Sequence, residues 1–320
     1  MTDQRQSLDQ LCINTIRMLS VDMIERAKSG HPGLPLGAAP MAYVLWSRIL
    51  RHNPENPAWF NRDRFVLSAG HGSALLYALL HLTGYDLPLE EIKQFRQWES
   101  RTPGHPEFGH TPGVESTTGP LGQGVAMAVG MAMAERMLAE RFNLEGLSPV
   151  DHYTYALVSD GDLMEGVAAE AVSLAGFQKL GKLIFLYDDN HVTIDGCTDV
   201  TFSEDVAARF VATGWHVDKI ETDQDLDRIE QAIRGGQRVA DKPSLILVRT
   251  HIGFGSPLQD NPKVHGAPLG SENSQKTREK LGWRWEEPFF VPEEALGHLR
   301  RAVEAGRRQE GEWRKTLDRY

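Results

Sequence analysis

The chain reads as an α/β protein built on a parallel sheet with helices on both faces. From residue 153 onward, apolar strand-like runs at 153–159, 183–188, 215–220 and 244–249 alternate with helical segments near 164–178, 203–213 and 225–239. That alternation is the pattern of a parallel sheet with crossover helices. Two of the runs end in acid-rich turns, Ser159-Asp160-Gly161-Asp162 and Asp188-Asp189-Asn190. Ligands bind outside the carboxyl ends of strands in such sheets. A length of 320 residues with 41% hydrophobic composition is ample for a large core.

The elements follow in order. Residues 8–28 place Leu11, Ile16, Leu19, Met23, Ile24 and Ala27 at helical spacing, and Ser7 with Gln10 fits a capping box. This first helix stops at Ser29-Gly30-His31-Pro32-Gly33, where Gly and Pro force a turn. Further helices are expected over 36–50 and 72–82. The stretch 101–124 is dense in Gly, Pro and Thr, the composition of a functional loop. Residues 125–134, rich in Ala, Met and Gly, are about half of the ~20 a bilayer span needs and read as a buried, closely packed helix. A second long loop, 251–270, follows a strand and opens on the same face as the acid-rich turns. Residues 292–320 read as a charged amphipathic helix with Ala295, Leu296, Leu299, Val303 and Trp313 as its apolar positions. The expected organisation is one domain over 1–320, with a core to about residue 272 and a helical extension from about 273.

Charge and cysteine content exclude several classes. With 34 Lys+Arg against 44 Asp+Glu, the net charge of −10 argues against a nucleic-acid partner. Cys12 and Cys197 have no paired spacing, so neither a disulfide framework nor a thiolate zinc site is expected. The N-terminal ten residues are polar and lack a signal-peptide core. A cytoplasmic protein without a membrane segment is the expectation.

Asp160 and Asn190 are the strongest metal-ligand candidates. Both offer hard oxygen, and one helix plus one strand separates them, so adjacent strands would bring them together. A Mg²⁺ held mainly by diphosphate oxygens needs only a few protein ligands. The competing reading is that Asp-Gly and Asp-Asn simply end strands through local turn hydrogen bonds. His31, His71, His105 and His265 each lie beside Gly or Pro in a loop. In a shared cleft their imidazoles would donate to phosphate or sugar oxygens and shuttle protons near neutral pH; singly, each reads as a solvated loop histidine. Glu165 and Glu170 read as helix N-terminal acids favoured by the dipole.

Asp160-Gly161, a following helix and Asn190 resemble the thiamine-diphosphate motif, usually written G-D-G followed by N-N or D-N. The surrounding segments, Leu163-Met164-Glu165-Gly166, Tyr187-Asp188-Asp189-Asn190, Lys28-Ser29-Gly30-His31-Pro32-Gly33, Gly70-His71-Gly72-Ser73, residues 117–124 and Val264-His265-Gly266-Ala267-Pro268-Leu269-Gly270, are similar to the transketolase family over essentially the whole chain. The resemblance implies a thiamine-diphosphate-binding fold and ketol transfer between ketose and aldose phosphates. It assigns Mg²⁺, with Ca²⁺ or Mn²⁺ able to stand in, to the side chains of Asp160 and Asn190 and the carbonyl of Val192. Gly119, Pro120 and Leu121 with Gly161 would pass against the cofactor, His71 would approach its diphosphate, and His31, His105 and His265 would contact substrate oxygens. Glu165 and Glu170 would join a network across a dimer interface.

Two residues depart from the family pattern. Ser159 stands where the first Gly is usual, which is expected to restrict the turn presenting Asp160. Asp162, often Cys, is expected to set a negative charge near the diphosphate. The family typically continues into a pyrimidine-binding and a C-terminal domain in a chain roughly twice this size, and no residue here matches the glutamate that the pyrimidine domain supplies. The expectation is a chain inactive alone, completed by a pyrimidine-domain subunit or the missing C-terminal half in a homo- or hetero-oligomer. The alternatives are a truncated or non-catalytic cofactor-binding assembly protein, and an α-type subunit of another thiamine-diphosphate enzyme.

Overall fold

The structure, a computed structural model, describes residues 2–320, with side chains from Leu8 onward. The expected capping residue Ser7 lies outside the described side chains. Strands β1 (Arg64–Leu67), β2 (Thr154–Ser159), β3 (Leu183–Asp189), β4 (His216–Ile220) and β5 (Ser244–Arg249) form one sheet in the order β1-β2-β3-β5-β4. Every pairing is parallel. The α/β architecture expected from the alternating pattern is therefore the one formed. Strand β1 was not among the expected strands, because its four residues begin with the last of a charged Arg62-Asp63-Arg64 run that masks the apolar signal.

Side chains alternate between two cores, as the two-residue period of a strand requires. On one face Phe65, Leu67, Tyr155, Leu157, Ile184, Leu186, Ile246 and Val248 pack beneath α1 (Thr2–Ala27), α2 (Gly33–Val44) and α3 (Ser73–Thr83). A short helix, α4 (Leu89–Lys93), follows α3. On the other face Val66, Ala156, Val158, Phe185, Tyr187 and Leu245 pack against α5 (Gln123–Phe142) and three helices between β2 and β4. The segment expected as one helix over 164–178 divides at Glu165, whose ψ of 139° is extended, into α6 (Asp160–Met164) and α7 (Gly166–Phe177). α8 (Val206–Ala212) and α9 (Leu226–Gln237) begin at Asp205 and Asp225, whose carboxylates each accept a backbone N–H of the first turn.

Helix α5 is not buried all round. Val125, Ala128, Val129 and Ala132 face the core, whereas Met127 and Met137 are 41% and 69% exposed. Beyond β5, α10 (Ser271–Lys280) has no apolar stripe, which hid it from periodicity. It docks on α1 through polar groups: buried Arg278 pairs with Asp22, whose second oxygen accepts the Phe289 N–H at 2.8 Å. The terminal helix expected over 292–320 is two helices, α11 (Glu293–Leu299) and α12 (Arg301–Arg319). No helix among the described residues is long and apolar enough to cross a membrane.

One internal feature fixes the helix beneath the site. Pro40 lies inside α2 and has no N–H to offer the carbonyl of Leu36, one turn earlier. Arg17, fully buried, donates its Nε–H to that carbonyl at 2.8 Å. Its guanidinium also lies 4.3 Å from the Phe254 ring centroid. A side chain from α1 thus supplies the donor that proline removed. Replacing Arg17 with Met is expected to lower the unfolding free energy by about 1–3 kcal/mol, the cost of a buried unsatisfied carbonyl. Adding Pro40→Ala, which restores the backbone donor, should recover part of that loss in urea denaturation; strictly additive losses would break the link.

Candidate functional site

The register of β2 and β3 sets the two acid-rich turns side by side. Ser159 lies opposite Asp188, so the residues that follow emerge together at the carboxyl edge of the sheet. Asp160 is 3% exposed. Its Oδ1 accepts the Tyr187 hydroxyl, while Oδ2 is buried with no partner. Burial pushes the Asp160 carboxyl up to about 7. Asn190 donates from Nδ2 to Asp188 Oδ2 at 2.9 Å, and its Oδ1 accepts the Val192 N–H at 2.9 Å. Asp188 in turn accepts the Thr250 hydroxyl, and burial raises it to about 6. Between Asn190 and Val192, His191 has φ +61°, a left-handed conformation that costs a non-glycine residue energy and is commonest where function requires it.

Asp160, Asn190 and Val192 line a cavity of about 490 Å³ with Leu121, His71 and His265. A buried carboxylate oxygen without a partner is costly unless something satisfies it. Hard cations take oxygen ligands of the kinds present here: carboxylate, side-chain amide and backbone carbonyl. Among the described residues no three His, Cys, Asp or Glu side chains converge as a metal cluster, so an ion here would depend on Asp160 with amide and carbonyl oxygens. The donor set fits Mg²⁺ held largely by a diphosphate.

The histidines gather beside the cavity, with His71 and His265 on its wall. Ring centroids lie 5.2 Å apart for His31 and His71, 5.0 Å for His71 and His265, and 5.8 Å for His31 and His265. His105 lies farther out, 6.4 Å from His31, with its side chain exposed. Gly119 has φ +150°, and a Cβ there would come within 3.2 Å of the His105 ring, so glycine is required at this approach. Gly161 and Glu165 also line the cavity; Gly119, Pro120, His31 and His105 do not. Glu170 lies on the outer face of α7 beside Leu174 and Phe177, which are 42% and 78% exposed. Burial lowers all four imidazoles, His31 to about 4 and His71 well below its usual range, reinforced for both by neighbouring histidines. At neutral pH each is an uncharged donor–acceptor.

The two departures at the first turn act together. Ser159 has φ −132° and ψ 173°, ordinary extended backbone, so this turn needs no glycine. It forms a capping box with Asp162 at the start of α6. Asp162 is fully buried and accepts four hydrogen bonds, from the Ser68 hydroxyl (2.7 Å), the Gly122 N–H (3.0 Å), and the Ser159 N–H and hydroxyl (both 3.1 Å). Its charge is turned into the protein and matched by donors from two helix N-termini. It does not line the cavity, which removes the expected repulsion of a diphosphate.

Residues 8–320 match the family model described as transketolase, thiamine diphosphate binding domain. The chain belongs to the transketolase family. It is 60% identical over 315 residues to a transketolase of Aquifex aeolicus, covering 98% of this chain and 45% of that protein. A Geobacillus stearothermophilus transketolase is 57% identical over 316 residues, with 47% of its length covered. Among solved structures, a Pichia stipitis transketolase in complex with sedoheptulose-7-phosphate superposes with a TM-score of 0.96 at 46% identity, covering 98% of this chain and 46% of that one. The chain thus spans about half the length of the transketolases it matches.

Within this transketolase domain, sequence reasoning missed the groups that hold the ligand candidates in place. Tyr187 and Asp188 sat inside a quoted motif, yet their bonds to Asp160 and Asn190 depend on strand register. Thr250, 62 residues from Asp188, and Ser68, 94 from Asp162, carried no local signal.

Asp162→Asn, which keeps the shape but turns one acceptor into a donor, is expected to cost about 1–3 kcal/mol of stability. Ser159→Gly should cost less in that background than alone; independent losses would show that the two residues are not one unit. The depressed histidines give a second expectation. Their folded-state values lie below the unfolded value, so the unfolded chain binds more protons and stability falls as pH drops from about 6.5 toward 4. His71→Gln removes one such proton and should flatten the decline between pH 7 and 5 by up to about 1.4 kcal/mol per pH unit. An unchanged slope in denaturant titrations would mean that His71 titrates normally.

Proposed function

We propose that this chain supplies the diphosphate and metal end of a transketolase active site, for transfer of a two-carbon ketol group between ketose and aldose phosphates. The observation that carries the proposal is the buried Oδ2 of Asp160, which has no hydrogen-bond partner, on a residue that lines one cavity with Asn190, Val192, His71 and His265. Asp160 and Asn190 through side chains, and Val192 through its carbonyl, would hold Mg²⁺ against the cofactor diphosphate. Thiamine diphosphate, when bound, supplies the nucleophilic carbon for ketol transfer.

The residues of this chain bind and orient. Tyr187 and Asp188 hold the side chains of Asp160 and Asn190, Gly161 and the segment Gly119-Pro120-Leu121 would leave room for the cofactor to approach the backbone, and His71 would bind its diphosphate. His31, His105 and His265 would present neutral imidazoles to the hydroxyl and carbonyl oxygens of a sugar. Their neutrality lets each donate one hydrogen bond and accept another while the sugar is seated.

The pyrimidine-binding half would come from a partner subunit or from the C-terminal half that the longer relatives carry. Residues 1–320 then form one diphosphate-binding domain with a helical extension. The exposed face of α7, with Glu170, Leu174 and Phe177, together with Glu165, suits a subunit interface in a dimer. A cytoplasmic setting accords with the composition and with the free Cys12 and Cys197.

Calorimetry with Mg²⁺ and thiamine diphosphate, in the presence of the C-terminal half of the Geobacillus stearothermophilus transketolase, tests this reading. Binding is expected, as is ketol transfer dependent on both halves. Tyr187→Phe should weaken metal-dependent binding about 10-fold or more, since it frees an Asp160 oxygen from its orienting partner. No binding in the reconstituted pair would overturn the proposal.

A further inference from the structure

Arg96 lies at the edge of the histidine cluster and belongs to neither the metal turn nor the cofactor loop. It sits just after α4 with φ +60°, a left-handed backbone that a non-glycine residue adopts only when its surroundings hold it there. Its N–H bonds to the Thr102 carbonyl at 2.9 Å. Nη1 donates to Ser29 Oγ at 2.8 Å, and Nη2 lies 3.5 Å from the Gly104 carbonyl and 3.4 Å from His31 Nδ1. Gly104 leaves room for this: a Cβ there would stand 3.2 Å from Arg96 Nε. The guanidinium therefore reaches the two residues that flank the cluster, Ser29 before His31 and Gly104 before His105.

A guanidinium has five N–H donors and no acceptor. An imidazole nitrogen turned toward it must present a lone pair, because a proton there would oppose the donor hydrogens. That nitrogen is Nδ1 of His31, so the single proton of the neutral ring belongs on Nε2. The opposite edge of the ring faces Gly266, where a Cβ would lie 3.5 Å from Nε2. The Cδ2–Nε2 edge thus lies beside the loop that carries His265.

We propose that Arg96 is a positioning residue that locks His31 in the neutral Nε2–H tautomer, so that His31 offers a hydrogen-bond donor, on the side of the His265 loop, to a hydroxyl or carbonyl oxygen seated beside the histidine cluster. The ligand class, an oxygen-rich substrate, rests on the functional reading above. The titratable or charged groups that face His31 are His71, His105, His265 and Arg96. All of them carry positive charge when charged at all, and the fixed charge of Arg96 adds to burial in disfavouring the imidazolium.

Nitrogen-15 histidine labelling of the full 320-residue chain, with the His31 resonances assigned through His31→Gln, reads the tautomer directly. The parent is expected to show His31 Nδ1 unprotonated and Nε2 protonated at pH 7. In Arg96→Met the two tautomers should mix and the apparent pKa of His31 rise by about one unit, whereas Arg96→Lys, which keeps the charge, should hold the pKa low. A proton on Nδ1 in the parent, or a folded Arg96→Met chain with the parent's tautomer and pKa, would overturn the proposal. If Arg96→Met does not fold, the parent spectrum alone decides. Cofactor binding is measured separately, so a chain that fails to bind thiamine diphosphate yet shows the locked tautomer would sink the functional reading and leave the role of Arg96 standing.

Discussion

The pairing of β2 with β3 is the constraint on which the site depends. Parallel strands end at the same edge, and the register that sets Ser159 opposite Asp188 delivers Asp160 and Asn190 to adjacent positions. Side chains alternate with a period of two, so a one-residue slip would send Phe185 and Tyr187 to the wrong core and take the Tyr187 hydroxyl away from Asp160. Core packing therefore enforces the site geometry. The same hydrophobic alternation that buries the sheet places the ligands.

The site divides its electrostatics into two halves. On the strand-end side, buried carboxylates are concentrated and raised, Asp160 to about 7 and Asp188 to about 6. Asp188 is satisfied by Thr250 and Asn190, and Asp162 by four donors, so of these three carboxylates it is Asp160 that keeps an unmet oxygen. On the loop side the imidazoles are depressed toward neutrality, and His31 lies against Arg96. One half is prepared for a cation and the other for uncharged oxygens, an arrangement suited to a charged cofactor end beside a sugar.

Much of this was legible in the residues. Four of the five strands announced themselves as apolar runs, and Asp160, Asn190 and the histidines stood out because Gly, Pro and acidic turns mark strand ends and loops. What stayed hidden had a common cause. β1 is short and follows charges, and α10 turns Ser274, Thr277 and Arg278 inward, so no apolar period exists to detect. Ser159 and Asp162 looked like two separate liabilities, because their partners Ser68 and Gly122 are remote in sequence. Arg96 gave no signal at all, since its meaning lies in a contact with a residue 65 positions away.

The bond between Asp22 and the segment around α10 has a bearing on how the chain is made. Asp22 belongs to α1, yet its partners Arg278 and Phe289 lie 256 and 267 residues later. Until they emerge, a carboxylate destined for the interior has no counter-charge, and burial opposes its ionised form. The first helix also takes the Ala295 carbonyl as acceptor for Cys12. Final docking of α1 must therefore wait until residue 289 has been made, even though α2 and α3, which share its apolar core, emerge early. An early element is thus among the last to be locked, because its polar contacts, unlike its apolar ones, reach across most of the domain.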